Sequence, residues 1–345
     1  MLPRQRVQAA LEFHCPDVVP LRIFPAAGGL YEHGQKLVDL IAACGHDFGP
    51  LDSLRVPAPP PKEHFDPDGR YHAITTDDWG TTWEFRLFGI WGHPLKWPIG
   101  EESDLDTYRP PAVAALSGEQ MAAAQRAGAE LRATYYHLGY GGGIFEKMFS
   151  LRRFEDVLID LAEDNTLAAR TADMIAEHVA AQVRNALAVD CDGVAFGDDF
   201  GTSESLMMSP AMWRRFFGPR YKALCDPILR AGKRVFLHSC GQLSAILPDL
   251  GELGVTVLWP QLTLFDRAEL RRRCRDLGIC LELHPDRGEL MQRGTPEQVR
   301  EYILRLADDF DCPRGGSWLY LEVDPGFPWP NVEAMFETVM RLRGG

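Results

Sequence analysis

No stretch of this sequence approaches the ~20 consecutive apolar residues of a membrane span, so the chain reads as soluble and cytoplasmic. The opening stretch MLPRQRVQAALEFHCPD is too interrupted for a secretory leader and reads as the start of a charged helix. An excess of basic charge is also missing. The 36 Lys and Arg against 49 Asp and Glu leave a net charge of −13, which argues against nucleic acid or an anionic membrane as the main partner, since both need a basic face. The eight cysteines are scattered rather than framed at short spacings, which speaks for reduced thiols and against a disulfide scaffold. Dinucleotide and phosphate fingerprints are lacking too: no Gly-x-Gly-x-x-Gly follows an apolar run, and there is no P-loop. The glycine-rich GYGGG, Gly139–Gly143, has neither spacing and reads as a tight turn or a place where backbone meets a ligand.

What is present is a core-forming composition, 46% hydrophobic over 345 residues, without a low-complexity block. The first 130 residues read as an irregular N-terminal extension with the first barrel elements. They include a Pro-rich surface excursion over Arg55–Gly69, a small sheet or hairpin over Ile74–Gly92, and a helix opening near Ser117. From about Leu131 strands and helices alternate. A long helix over Leu167–Leu187 puts Leu167, Met174, Ile175, Val179, Val183 and Leu187 near one face, and Ser209–Pro210 and Thr295–Pro296 open two later helices. At least six such units with short connections predict a parallel sheet with helices outside. The expected fold is a single-domain α/β structure, a (β/α)8 TIM-type barrel spanning 1–345.

In such barrels the chemistry sits at the carboxyl ends of the strands. Those ends carry Asp198 and Asp199; His238 and Cys240; Gln261; Glu282, His284 and Asp286; and Glu322 and Asp324. His238 and Cys240, at i and i+2 in VFLHSCGQL, point to one face if the strand persists. Imidazole plus thiolate suits zinc, which in catalytic sites takes three protein ligands; the pair also reads as a core histidine beside a buried thiol. Glu322 is the expected third ligand, against a salt bridge to Arg287, and Asp324 reads either as facing the same cavity or as simply shaping the turn before Pro325. Asp198 and Asp199 are candidates for general acid, base or substrate anchor, or for helix capping. Asp78 and Trp79 read as a polar anchor beside an aromatic wall, or as a turn. Gln261 and His284 are expected to line the pocket, His284 within a charged cluster with Asp286 and Arg287, while Cys280 packs.

The block from Gly197 to Gln261 (GDDFGTSESLMMSP through RVFLHSCGQL to VTVLWPQ) resembles the uroporphyrinogen decarboxylase superfamily. Supporting pieces are RQRVQAALEFHCPDVVPLRIF, TTDDWGTTW, RGTPEQVREYI and NVEAMFETV. The resemblance implies a distorted (β/α)8 barrel. It separates two branches. The decarboxylase carries an arginine-bearing MRQAGR-type segment that grips its many substrate carboxylates; FPAAGG, Phe24–Gly29, places Pro25 and Gly29 there, which speaks against a porphyrinogen substrate. The corrinoid-linked methyltransferases resemble this chain at HSCG, which implies zinc on His238 and Cys240. Their third ligand, a Cys in a late GCG-like segment, has no counterpart in LEVDPGF, so Glu322 or Asp324 must replace it.

The resulting expectation is a zinc-dependent methyltransferase acting between a small methylated substrate, of the methoxylated kind, and a corrinoid. No DxHxxG-type motif is present, so a partner protein would carry the corrinoid; a homodimer is compatible with this. The alternatives are a metal-free decarboxylase or lyase on a non-porphyrin acid, using Asp78 and Asp199, and a non-catalytic small-ligand-binding barrel.

Overall fold

The computed structural model describes residues 1–344. Its main sheet contains β1 (Leu21–Ile23), β5 (Leu138–Gly142), β6 (Gly193–Gly197), β7 (Arg234–Ser239), β8 (Val255–Pro260), β9 (Cys280–Leu283) and β10 (Ser317–Leu321). The strand order is β1-β10-β9-β8-β7-β6-β5, parallel throughout. The intervening strands β2 (Ala73–Thr76), β3 (Thr82–Phe85) and β4 (His93–Lys96) form a separate antiparallel sheet. That sheet accounts for the Thr- and aromatic-rich stretch, and the Pro-rich segment before it is largely exposed.

The TIM-type barrel is present, but among the described residues it has seven strands instead of eight. The gap between β1 and β5 is bridged by a single residue, Asp47. Its N–H donates to the Leu21 carbonyl at 2.9 Å, and its carbonyl accepts from Tyr136 N–H at 2.9 Å. Its carboxylate, fully buried, accepts from Leu21 N–H at 2.8 Å, from Arg6 at 2.5 Å and from Arg343 at 2.9 Å. A full stave cannot form here because Gly45 and Gly49 both take positive φ on either side of it, at 64° and 144°, and Pro50 follows.

Helices cover the outside, and their starts follow the sequence signals. The side chains of Ser117, Ser209 and Thr295 accept from backbone N–H groups three residues on. The longest helix, Thr166–Ala188, buries Leu167, Ile175, Val179 and Val183. Strand alternation sorts the two cores. On β7, Val235 and Leu237 face the helices, whereas Phe236 joins Tyr136, Val257, Cys280 and Trp318 inside the barrel. Arg234 and His238, two residues either side of Phe236, therefore share the inner face, one at each end.

Candidate metal centre

His238, Cys240 and Asp199 each offer a ligand atom, and these atoms all lie within 4.8 Å of one another. His238 Nε2 is 3.5 Å from Cys240 Sγ and 3.6 Å from an Asp199 carboxylate oxygen. Zinc bonded tetrahedrally at about 2.0–2.3 Å would set its donors about 3.3–3.8 Å apart, so these separations fit the ion. His238 Nδ1 lies 2.9 Å from the Trp259 carbonyl. That carbonyl can only accept, so Nδ1 carries the proton and Nε2 presents its lone pair, the usual outer support of a metal-binding imidazole. The ring also lies 3.9 Å, centroid to centroid, from the Trp259 indole.

Neighbouring loops close the cluster. The loop after β6 returns Asp199 to the loop after β7, where its carboxylate accepts Cys240 N–H at 2.6 Å. Gly241 makes this approach feasible: its φ is +84°, and a Cβ there would lie 2.1 Å from the backbone of Gly201. Gln261 Oε1 accepts Gly241 N–H at 3.1 Å. Burial, with Asp199 adding to it, pushes the Cys240 thiol up to about 12, and burial lowers His238. A divalent cation at the cluster would reverse the thiol's preference by its own charge.

The other strand-end residues have separate placements. Asp198 is fully buried and accepts from the N–H groups of Ile144, Phe145 and Glu146 at 2.9, 2.7 and 2.6 Å and from the Tyr221 hydroxyl at 2.6 Å. This is a helix-anchoring role, although burial raises its carboxyl to about 6. Strand β10 ends at Leu321, so Glu322 and Asp324 sit in the following loop. Glu322 is not among the three clustered donors; the Arg287 guanidinium lies 2.5 Å from it and 3.7 Å from Asp324. Burial pushes Glu322 up to about 7, with Arg287 opposing. Asp324 Oδ1 is buried without a hydrogen-bond partner among the described residues.

His284 is buried between the carbonyls of Pro285 and Pro260 at 2.9 and 3.2 Å, and burial lowers it to about 4. Asp78 is exposed at the β2–β3 turn, which its neighbour Asp77 organises by accepting from Trp79 N–H, Thr81 N–H and Trp83 Nε1–H. Trp79 packs against His178 at 4.6 Å and under Lys147 Nζ at 4.6 Å. Cys280 packs inside the barrel, as expected.

Glu146 is a residue that strand-end reasoning missed. It lies in the first turn of the helix Phe145–Leu151, where burial and then the Asp199 and Asp198 carboxylates push it up to about 8. The signal was the preceding glycine run. A Cβ on Gly143 would stand 2.0 Å from the Gly197 carbonyl and 3.2 Å from Asp198 Cγ, so only glycine lets this helix start against the end of β6.

The family model for uroporphyrinogen decarboxylase matches residues 92–342. The chain belongs to this family. Among solved structures, a methyltransferase from Methanosarcina mazei is similar over 99% of both chains, with 14% identity and a TM-score of 0.63, which shows a shared fold for this uroporphyrinogen decarboxylase family member. A 3-keto-D-glucoside 4-epimerase from E. coli covers 60% of this chain, and all of its own, at 10% identity and a TM-score of 0.35, too distant to inform the site. No curated protein matches the sequence. No helix among the described residues is long and apolar enough to cross a membrane.

Proposed function

We propose that the chain is a zinc-dependent methyltransferase moving a methyl group between a small methoxylated substrate and a corrinoid carried by a partner protein. The observation that carries this reading is the His238–Cys240–Asp199 cluster with His238 Nδ1 bonded to the Trp259 carbonyl. Asp199 takes the third position first expected of Glu322. Zinc bound there would supply Lewis acidity, polarising an ether oxygen or favouring the thiolate of a bound thiol.

The chain's own groups divide the remaining work. Trp259 and Gln261 hold His238 and the Cys240 loop in place. Glu146, within the field of the Asp199 and Asp198 carboxylates, is the chain's own acid assigned to give a proton to a leaving oxygen. Arg287 offers positive charge at the rim, balanced by Glu322 and Asp324. The buried Trp259 Nε1 and Asp324 Oδ1 have no partner among the described residues and are the donor and acceptor assigned to orient substrate. The FPAAGG segment leaves no arginine pair for a polycarboxylate, which supports a small substrate.

The test is methyl transfer from methyl ethers, methylamines and methyl thioethers to cob(I)alamin, followed by its absorbance, with the zinc-loaded and chelated protein. Zinc-dependent turnover of an ether is the expected result. The second reading, a metal-free decarboxylase on a small carboxylic acid, draws on Arg287 as carboxylate anchor and Glu146 as proton donor. Release of CO2 undiminished by chelation would favour it and sink the first.

A further inference from the structure

A cavity of about 160 Å3 lies at the opposite end of the barrel from the donor cluster. The first helix, Pro3–Leu11, crosses the strand starts there and seats Val7, Ala10 and Leu11 on the interior core. Among the lining side chains, Arg4, Arg132, Lys233 and Arg234 are cationic, and Glu12 and Asp192 are acidic. Asp192 is engaged by Arg4 at 2.8 Å, by Arg132 at 3.1 Å and by His137 N–H at 3.0 Å. Arg132 also reaches Asp190, and Lys233 lies 2.5 Å from Asp190. Three cations thus answer the two aspartates.

Arg234 is left over. Among the described residues its guanidinium has no ion pair and no hydrogen bond, although it is partly buried. Strand parity with Phe236 turns it inward, and its charge acts on Tyr136 and Cys280 inside the barrel. A partly desolvated guanidinium without a counter-ion is costly, and its planar fork of N–H donors matches an oxyanion. At ~30 Å3 per water the cavity has room for about five waters, enough for one phosphate.

We infer that this cavity is a binding site for a small oxyanion of the phosphate class, gripped by Arg234 and attracted by Arg4 and Lys233. Arg234 and His238 are separated along β7 by the Phe236 plug, roughly 13 Å at the rise of a strand, so the bound anion does not touch the donor cluster. Glu12 at the rim is the one lining carboxylate that opposes entry without an arginine or lysine partner among the described residues.

The melting midpoint of the full chain, compared in about 10 mM inorganic phosphate and in chloride at matched ionic strength, tests the site. Phosphate is expected to raise it by about 1–2 °C for millimolar binding. Arg234→Gln should abolish the difference, and Glu12→Gln should enlarge it, an outcome that a misfolded variant cannot produce. A glycerol phosphate arm separates sources: a larger shift than with phosphate indicates a phosphomonoester ligand, an equal or smaller one the free anion. Equal midpoints in phosphate and chloride, a response that survives Arg234→Gln, or one that Glu12→Gln leaves unchanged overturns the inference.

Discussion

The ends of β7 and β10 are written in the same grammar and built into different things. Each carries two ligand-type residues at i and i+2, His238 with Cys240 and Glu322 with Asp324. Beyond β7, the neighbours are a backbone carbonyl and a carboxylate, and the pair becomes part of a donor cluster. Beyond β10, the neighbour is the Arg287 guanidinium, which sits against both carboxylates. A cation in that position does for Glu322 and Asp324 what a metal would do, and it competes with one. Spacing assigns side chains to a face; the groups arriving from other elements assign the role.

The strongest way to break this comparison is metal content. In purified protein, His238→Ala with Cys240→Ala should lower bound zinc by tenfold or more, while Glu322→Gln leaves it unchanged, measured by mass spectrometry of the metal. Loss of zinc in Glu322→Gln would erase the distinction. Asp199→Asn should weaken zinc affinity by about 10–100-fold, in the range seen for disturbed metal shells, read by competition with a chelating dye. Its retention at full affinity would remove Asp199 from the ligand set.

A smaller effect belongs to the β10 side. Arg287→Met leaves two partly buried carboxylates without their cation and should cost about 1–2 kcal/mol in urea denaturation, the partial exposure of the pair moderating a fully buried value. No loss would show that the ion pair holds nothing together. The last concerns pH. Glu322 titrates near 7 in the fold against an ordinary 4.5, so its contribution is complete below about 4.5 and is lost as pH rises through about 7. Glu322→Gln should therefore gain stability relative to the parent over that window, and parallel pH profiles would contradict the raised carboxyl.

Much of the scaffold was legible. The caps at Ser117, Ser209 and Thr295, the apolar face of the long helix and the inward pairing of His238 with Cys240 follow from local rules that need no distant partner. The seam was not, because a one-residue stave has no strand signature. Asp47 is visible only through its bonds to Leu21 and Tyr136 and through Arg6 and Arg343, which come from opposite ends of the chain. Asp199 was recognised as a candidate but assigned acid–base work, since its return toward Cys240 depends on the contact between Gly201 and Gly241. Glu146 escaped because it lies on a helix, away from the strand ends.

The sequence by itself determined the alternation of strands and helices, and with it a parallel barrel and the end of that barrel where reactive side chains gather. Those properties rest on periodicity and capping, which are local. Only the tertiary structure decided which of the gathered side chains meet. Whether a carboxylate stands beside a guanidinium or an imidazole is set by loops from different units packing within a few ångströms, and burial then amplifies the choice by removing the water that would otherwise screen it.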